Sequence, residues 1–145
     1  MNLEYLHTGV FVLMFITFLV SNYIIALKFI QLRKRPNSTL EEIFNWTRGF
    51  RDGLWWLDFS ATTSPLVGLL GTTIALIQAF QSLSAKGISG ATEITAAIGF
   101  ALVATALGIL LSLWNYLFFK YFQNKLSNYK EYLRHKIMKE ALSEE

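Results

Sequence analysis

Three stretches of the chain contain no Asp, Glu, Lys, Arg or His: Thr8 to Leu27, Phe59 to Ala85 and Ile94 to Phe119, of 20, 27 and 26 residues. At about 1.5 Å of rise per helical residue, each is long enough to cross a hydrocarbon core about 30 Å thick. Hydrocarbon cannot satisfy a free backbone amide, so three such runs in one chain form helices rather than an open sheet. The pattern predicts an all-α membrane protein with three transmembrane helices over about 8–30, 59–85 and 94–119, with polar segments 31–58 between the first two and 120–145 after the third. Glu4 and His7, rather than Lys or Arg, precede the first run, which therefore reads as a retained anchor and not as a cleaved leader.

The polar segments have a pattern of their own. After Arg33, Lys34, Arg35 and Pro36, the run Ser38-Thr39-Leu40-Glu41 has the form of a capping box and predicts a helix start. Leu40, Ile43, Phe44, Phe50, Leu54 and Leu57 then recur mostly at helical spacing, opposite Glu41, Glu42, Arg48, Arg51 and Asp52. This predicts an amphipathic helix between spans one and two, lying on the membrane surface, on its own bundle or against another subunit. Beyond Lys120, the stripe Phe122, Leu126, Tyr129, Leu133 and Ile137 predicts that the third helix is long and continues past the membrane. Trp46, Trp55, Trp56 and Trp114 flank the spans, where indoles anchor at the headgroup layer. No Gly- or Pro-rich linker divides residues 1–145, so a single domain is expected.

Charge adds an orientation. Of 13 Lys and Arg, six lie from Lys28 to Arg51, six from Lys120 to Lys139, and Lys86 alone lies between the second and third spans. Basic loops stay in the cytoplasm, which places the N-terminus and the Ser84 to Thr92 hairpin outside. The short cluster Arg33, Lys34 and Arg35 needs no explanation beyond topology, and nucleic acid is not an expected partner. A composition of 53% hydrophobic and 16% charged residues agrees with a membrane protein. With zero Cys and only His7 and His135, disulfide, zinc, haem and iron–sulfur chemistry are excluded, and no cofactor is expected. The polar segments hold neither a nucleophile beside a His nor a phosphate-binding Gly loop, which argues against an enzyme.

Inside the spans, small residues recur at helical spacing. On the second, Ala61, Pro65, Gly68, Thr72, Ala75, Ala79 and Ser82 make one slim face; on the third, Ala97, Ala101, Thr105, Gly108 and Ser112 make another. Helices in lipid associate through small residues that let backbones approach and through Ser and Thr hydrogen bonds, so these are contact or pore faces. Thr62, Thr63, Ser64, Thr73 and Thr95, with Gln78 and Asn115, add further polar capacity, some of it expected to line a hydrated or partner-filled cavity. No titratable group sits at mid-bilayer depth, and the nearest carboxylates, Asp58 and Glu93, lie at opposite ends of the spans. Proton relays use titratable groups in the membrane interior. A proton-coupled role would therefore need a second polypeptide to supply one.

The stretches TSPLVGLLGTT (Thr63 to Thr73) and ALVATALGI (Ala101 to Ile109) resemble the two signature segments of the MotA/TolQ/ExbB proton channel family, and most resemble its short ExbB or TolQ forms. The resemblance covers about sixty residues, Phe59 to Phe119. It implies a motor in the bacterial inner membrane: a homo-oligomeric barrel, five copies in the family, around an ExbD-like single-span partner with a membrane Asp, passing work to a TonB-like transducer. By motif position, the threonines that face the partner's aspartate fall on Thr72 and Thr105. A TolQ-like envelope-maintenance motor and a non-conducting scaffold are the alternatives, and a flagellar-type stator stands further back. Many family members carry a Glu five residues before the second threonine; here that position is Phe100. Glu93, on about the same face, is a candidate substitute for ion access, against a plain interface carboxylate.

Overall fold

The structure, a computed structural model, describes residues 3–36, 40–87 and 91–143, with the side chains of residues 3–7, Leu40, Lys86 and Glu93 outside the description. Those residues form three α-helices: α1 (Leu3–Arg33), α2 (Leu40–Lys86) and α3 (Ala91–Ser143). All three are long and apolar enough to cross a membrane, the qualifying segments being Thr8–Arg33, Glu41–Ala85 and Ile94–Ser143. The protein is a multi-pass membrane protein. Its polar ends define two poles, the hairpin end near Gly87 and the basic end where Lys34, Arg48 and Lys130 lie.

The segment expected to be a separate amphipathic helix is not separate. It runs without a break into the second span as the first part of the 47-residue α2. The reason is visible in the side chains, because Phe50, Leu54, Leu57 and Ala61 follow one another at intervals of three or four and all are buried. A continuous stripe of that kind keeps one helix face against its neighbours across the boundary, and no proline falls between Leu40 and Pro65 to interrupt the backbone ladder. The capping residues Ser38 and Thr39 lie outside the described residues. At the far end, α2 stops at Lys86 and Gly87 takes φ +63°, the left-handed conformation that terminates helices and that glycine adopts without a Cβ penalty. Helix therefore extends into both ends of the Ser84 to Thr92 segment, since α2 reaches Lys86 and α3 starts at Ala91.

The third helix is continuous over 53 residues, as its apolar stripe indicated. Phe122 and Leu126 are buried and Leu133 half-buried, whereas Ile137 and Leu142 are exposed, so packing supports α3 only as far as about Leu133. The main apolar core lies at the basic end, where Ile25, Phe50, Leu54, Leu57, Phe122 and Leu126 cluster. Phe29 joins it edge-on, 5.1 Å from the Phe122 ring centroid. Trp46 packs into this region: it stacks on Phe50 at 5.1 Å, meets Tyr129 edge-on at 5.5 Å, and its indole N–H donates to the Gln31 carbonyl. The Tyr129 hydroxyl in turn donates to the Pro36 carbonyl at 3.0 Å, tying α3 to the segment that joins α1 and α2.

Glycines fix the register of the three helices. A Cβ at Gly71 would touch Val10 Cγ1 of α1 and Ala104 Cβ of α3, each at 3.4 Å, so these three positions form one layer. Eighteen residues further toward the basic end on each helix stand Lys28, Gly53 and Phe122. Lys28 lies across Gly53, where a Cβ would overlap its Cε and Nζ, and its ammonium donates to the Gly49 carbonyl at 3.2 Å and to Gln31 Oε1 at 3.0 Å. A basic side chain is thus folded into the helix interface, with the Phe50 ring centroid 4.9 Å from Nζ.

Candidate functional site

The slim faces of α2 and α3 meet each other. Two glycines set how closely. A Cβ at Gly108 would come within 2.7 Å of the Ser64 carbonyl oxygen and 3.2 Å of Gly68 Cα, and a Cβ at Gly68 within 3.0 Å of Thr105 Cα. Backbone therefore lies against backbone at this level, a separation only glycine allows. Along the same interface Ala61, Ala75, Ala79 and Ala101 are buried, while Pro65, Ala97 and Ser112 are half-buried.

At the centre of this approach the two threonines share a hydrogen bond. Thr72 Oγ1 and Thr105 Oγ1 are 2.9 Å apart. Thr105 Oγ1 also lies 3.1 Å from the Gly68 carbonyl oxygen, and Thr72 Oγ1 lies 3.2 Å from the Gly68 and 2.9 Å from the Leu69 carbonyl oxygens. Two hydroxyl protons are thus distributed over two hydroxyl oxygens and two carbonyls. Every acceptor is neutral, so the protons can be redistributed by rotating a C–O bond without moving charge. Both side chains are half-buried and keep one side open, and a hydroxyl offers both a donor and lone pairs to a visiting group.

Pro65 and Ser112 form the second polar element. Proline has no N–H, so the carbonyl of Ala61, four residues earlier in α2, has no intrahelical donor. Ser112 Oγ of α3 donates to that oxygen. The other hydroxyls behave differently: Thr62, Thr73 and Thr95 are exposed, and each donates to a carbonyl of its own helix four residues back. Ser64 does the same within the bundle, to the Ser60 carbonyl at 2.6 Å. Glu93 stands in the first turn of α3, its side chain outside the described residues, while Phe100 points outward and is 66% exposed.

The geometry also brings forward residues that the sequence pattern did not group. Ser21, Ser60 and Asn115 are all fully or almost fully buried, and none of their side-chain polar atoms has a protein hydrogen bond. Ser21 and Ser60 were missed because a lone serine in an apolar run carries little signal. The available cue was that Ser21 falls at helical spacing with Met14, Ile25 and Lys28, all on the buried side of α1.

Comparison with known proteins agrees with the motif reading. The MotA/TolQ/ExbB proton channel family matches residues 32–135. An ExbB-like biopolymer transport protein 1 of Helicobacter pylori strain J99 is 34% identical over 82 residues, 57% of this chain and 43% of that protein. The biopolymer transport protein ExbB of Aquifex aeolicus is 33% identical over 66 residues, 46% of this chain and 45% of its own length. An ExbB-like biopolymer transport protein 3 of a Synechocystis strain is 37% identical over 65 residues, 43% of this chain and 31% of that protein. The chain thus spans less than half the length of each of these curated relatives. No solved structure matches it.

Proposed function

Because the chain belongs to the MotA/TolQ/ExbB proton channel family, we propose that it is the ExbB-like subunit of a proton-driven motor in the bacterial inner membrane. Several copies, five by analogy with the family, would surround an ExbD-like single-span partner whose membrane aspartate is the titrating group. Residues 1–145 would act as one domain, with the basic end in the cytoplasm, and the work would pass to a TonB-like transducer serving the outer membrane. The observation that carries this reading is the Thr72–Thr105 hydroxyl pair, 2.9 Å apart, at a level of the spans that has no titratable side chain.

The chemistry follows from that pair. A carboxylate docking at the open side of the threonines accepts a hydroxyl proton as a hydrogen bond, and a protonated carboxyl donates to a hydroxyl lone pair instead. The hydroxyls serve both ionisation states by rotating, so neither state is trapped. One proton crossing about 100 mV releases about 2.3 kcal/mol, comparable to a few interhelical hydroxyl hydrogen bonds at roughly 0.6 to 2 kcal/mol each. Steps of that size can be driven by single protons. The glycine-set approach of α2 to α3 and the neutral lining support a positioning role for Thr72 and Thr105, with Pro65, Gly68, Ala75, Ala79, Ala97, Ala101, Gly108 and Ser112 supplying the packing face. Glu93 is proposed as a group through which the ion reaches that level.

Names of the matched relatives favour the ExbB over the TolQ reading. The test is Thr72→Val and Thr105→Val, which keep the shape and remove the hydroxyls. Proton-dependent uptake is expected to be lost in the double variant while the complex with the single-span partner still assembles. Undiminished uptake would remove the threonines from the ion path and leave a non-conducting scaffold as the better description.

A further inference from the structure

The register set by Gly71 has a second layer. Eleven residues along each helix from Val10, Gly71 and Ala104, which is three helical turns toward the basic end, stand Ser21, Ser60 and Asn115. One layer is apolar and closely packed. The other places three polar side chains, one from each helix, at a common level: Ser21 is 0%, Ser60 1% and Asn115 0% exposed. Ser21 Oγ, Ser60 Oγ, Asn115 Oδ1 and Asn115 Nδ2 all lack a protein hydrogen bond, and so does Trp56 Nε1, one turn further along α2. Burying unsatisfied polar atoms in this number is costly, and native interiors pair nearly all such groups with protein or ordered water.

We propose that this layer is an internal water site of the subunit, held by Ser21, Ser60 and Asn115. The choice between water and a metal cation follows from the donor set. Asn115 Nδ2 and Trp56 Nε1 can only donate, and N–H groups repel a cation, whereas water accepts from N–H and donates to Asn115 Oδ1. Two serine hydroxyls fit either side of a water molecule, and two to four polar partners are what a buried water requires. Beside this layer, Ser60 borders a cleft of about 240 Å³ whose walls are mainly apolar, with Leu13, Met14, Val67 and Leu111 among its lining, so the polar atoms of the layer face inward rather than toward lipid. On the side of the basic end, the fully buried Phe122 ring packs against Phe29 and Phe118. Water held here lies between the buried Phe122 ring and the glycine-packed threonine level, beside the α2–α3 seam that carries Ser112, Ser64 and Thr105.

The experiment is water-edited solid-state NMR of the full chain in lipid bilayers, reading magnetisation transfer from water to the Asn115 side-chain amide. The exposed Asn124 serves as the wet reference, and the backbone amides of Ala75 and Ala104 as the dry one. Transfer to Asn115 is expected to build up within about threefold of the Asn124 rate, and to fall several-fold in the Ser21→Ala/Ser60→Ala variant. Build-up in the wild-type chain no faster than at Ala75 and Ala104 would overturn the proposal, whatever the variant does. So would an undiminished rate in the variant. A shift of the Asn115 signal on replacing potassium by sodium would assign the site to a cation instead.

Discussion

Pro65 removes one backbone donor from α2, and Ser112 of α3 replaces it at the Ala61 carbonyl. Ser112→Ala is therefore expected to destabilise the bundle by about 1–2 kcal/mol, since it strands a carbonyl in an apolar interior. In a Pro65→Ala background the helix supplies its own N–H, and the same substitution is expected to cost only a few tenths. A double-mutant cycle measured by reversible unfolding in detergent micelles or bicelles checks this, and equal costs in both backgrounds would refute the pairing. Glycine positions separate in the same way. At Gly108 an added methyl meets backbone of α2 at 2.7 Å, whereas at Gly99 it meets nothing within 4 Å. Gly108→Ala is expected to cost about 1–3 kcal/mol through overpacking and to part Thr72 from Thr105. Gly99→Ala, in an open helical position, should be neutral or stabilising by up to about 1 kcal/mol. Denaturant titration of the two variants side by side is the measurement.

At the scale of the element, the uncharged runs made all three helices legible, because hydrocarbon leaves the backbone no other arrangement. What the runs did not reveal was where helices end outside the membrane. The α2 stripe from Ile43 through Leu57 could be read as a separate surface helix, since periodicity shows a buried face but not whether the backbone bends between two buried segments. The junction that Trp46 makes was not legible for a related reason: an indole near a span carries no sign of its partners, and the Gln31, Phe50 and Tyr129 contacts appear only when the three helices are assembled. Those contacts carry a prediction. Tyr129→Phe loses the hydrogen bond to the Pro36 carbonyl and is expected to cost about 1 kcal/mol. Tyr132→Phe, at a ring 64% exposed, should change nothing. Thermal unfolding of the two variants, followed by tryptophan fluorescence, distinguishes them.

For the whole molecule, the candidate site was legible as residue types and motif positions, not as geometry. The motif placed Thr72 and Thr105, but their shared hydrogen bond depends on the backbone approach at Gly68 and Gly108, which belongs to two helices at once. The polar layer was hidden for the same reason, because Ser21, Ser60 and Asn115 are far apart in sequence and come to one level only through the register. Outward faces remain strongly apolar: Leu66, Leu70 and Phe80 on α2 and Leu102, Leu110 and Leu113 on α3 are all more than half exposed, surfaces suited to lipid or to further copies of the chain. The unbroken third helix has one more consequence. From Thr105 to Ser143 it extends for roughly 57 Å at about 1.5 Å per residue, with no proline along the way. It can act as a stiff pointer pivoting in the bilayer: a tilt of about 5° at the threonine level swings the distal tip by roughly 5 Å over that length. A spin label near residue 140 would turn a motion too small to resolve beside Thr105 into a displacement within reach of a distance measurement.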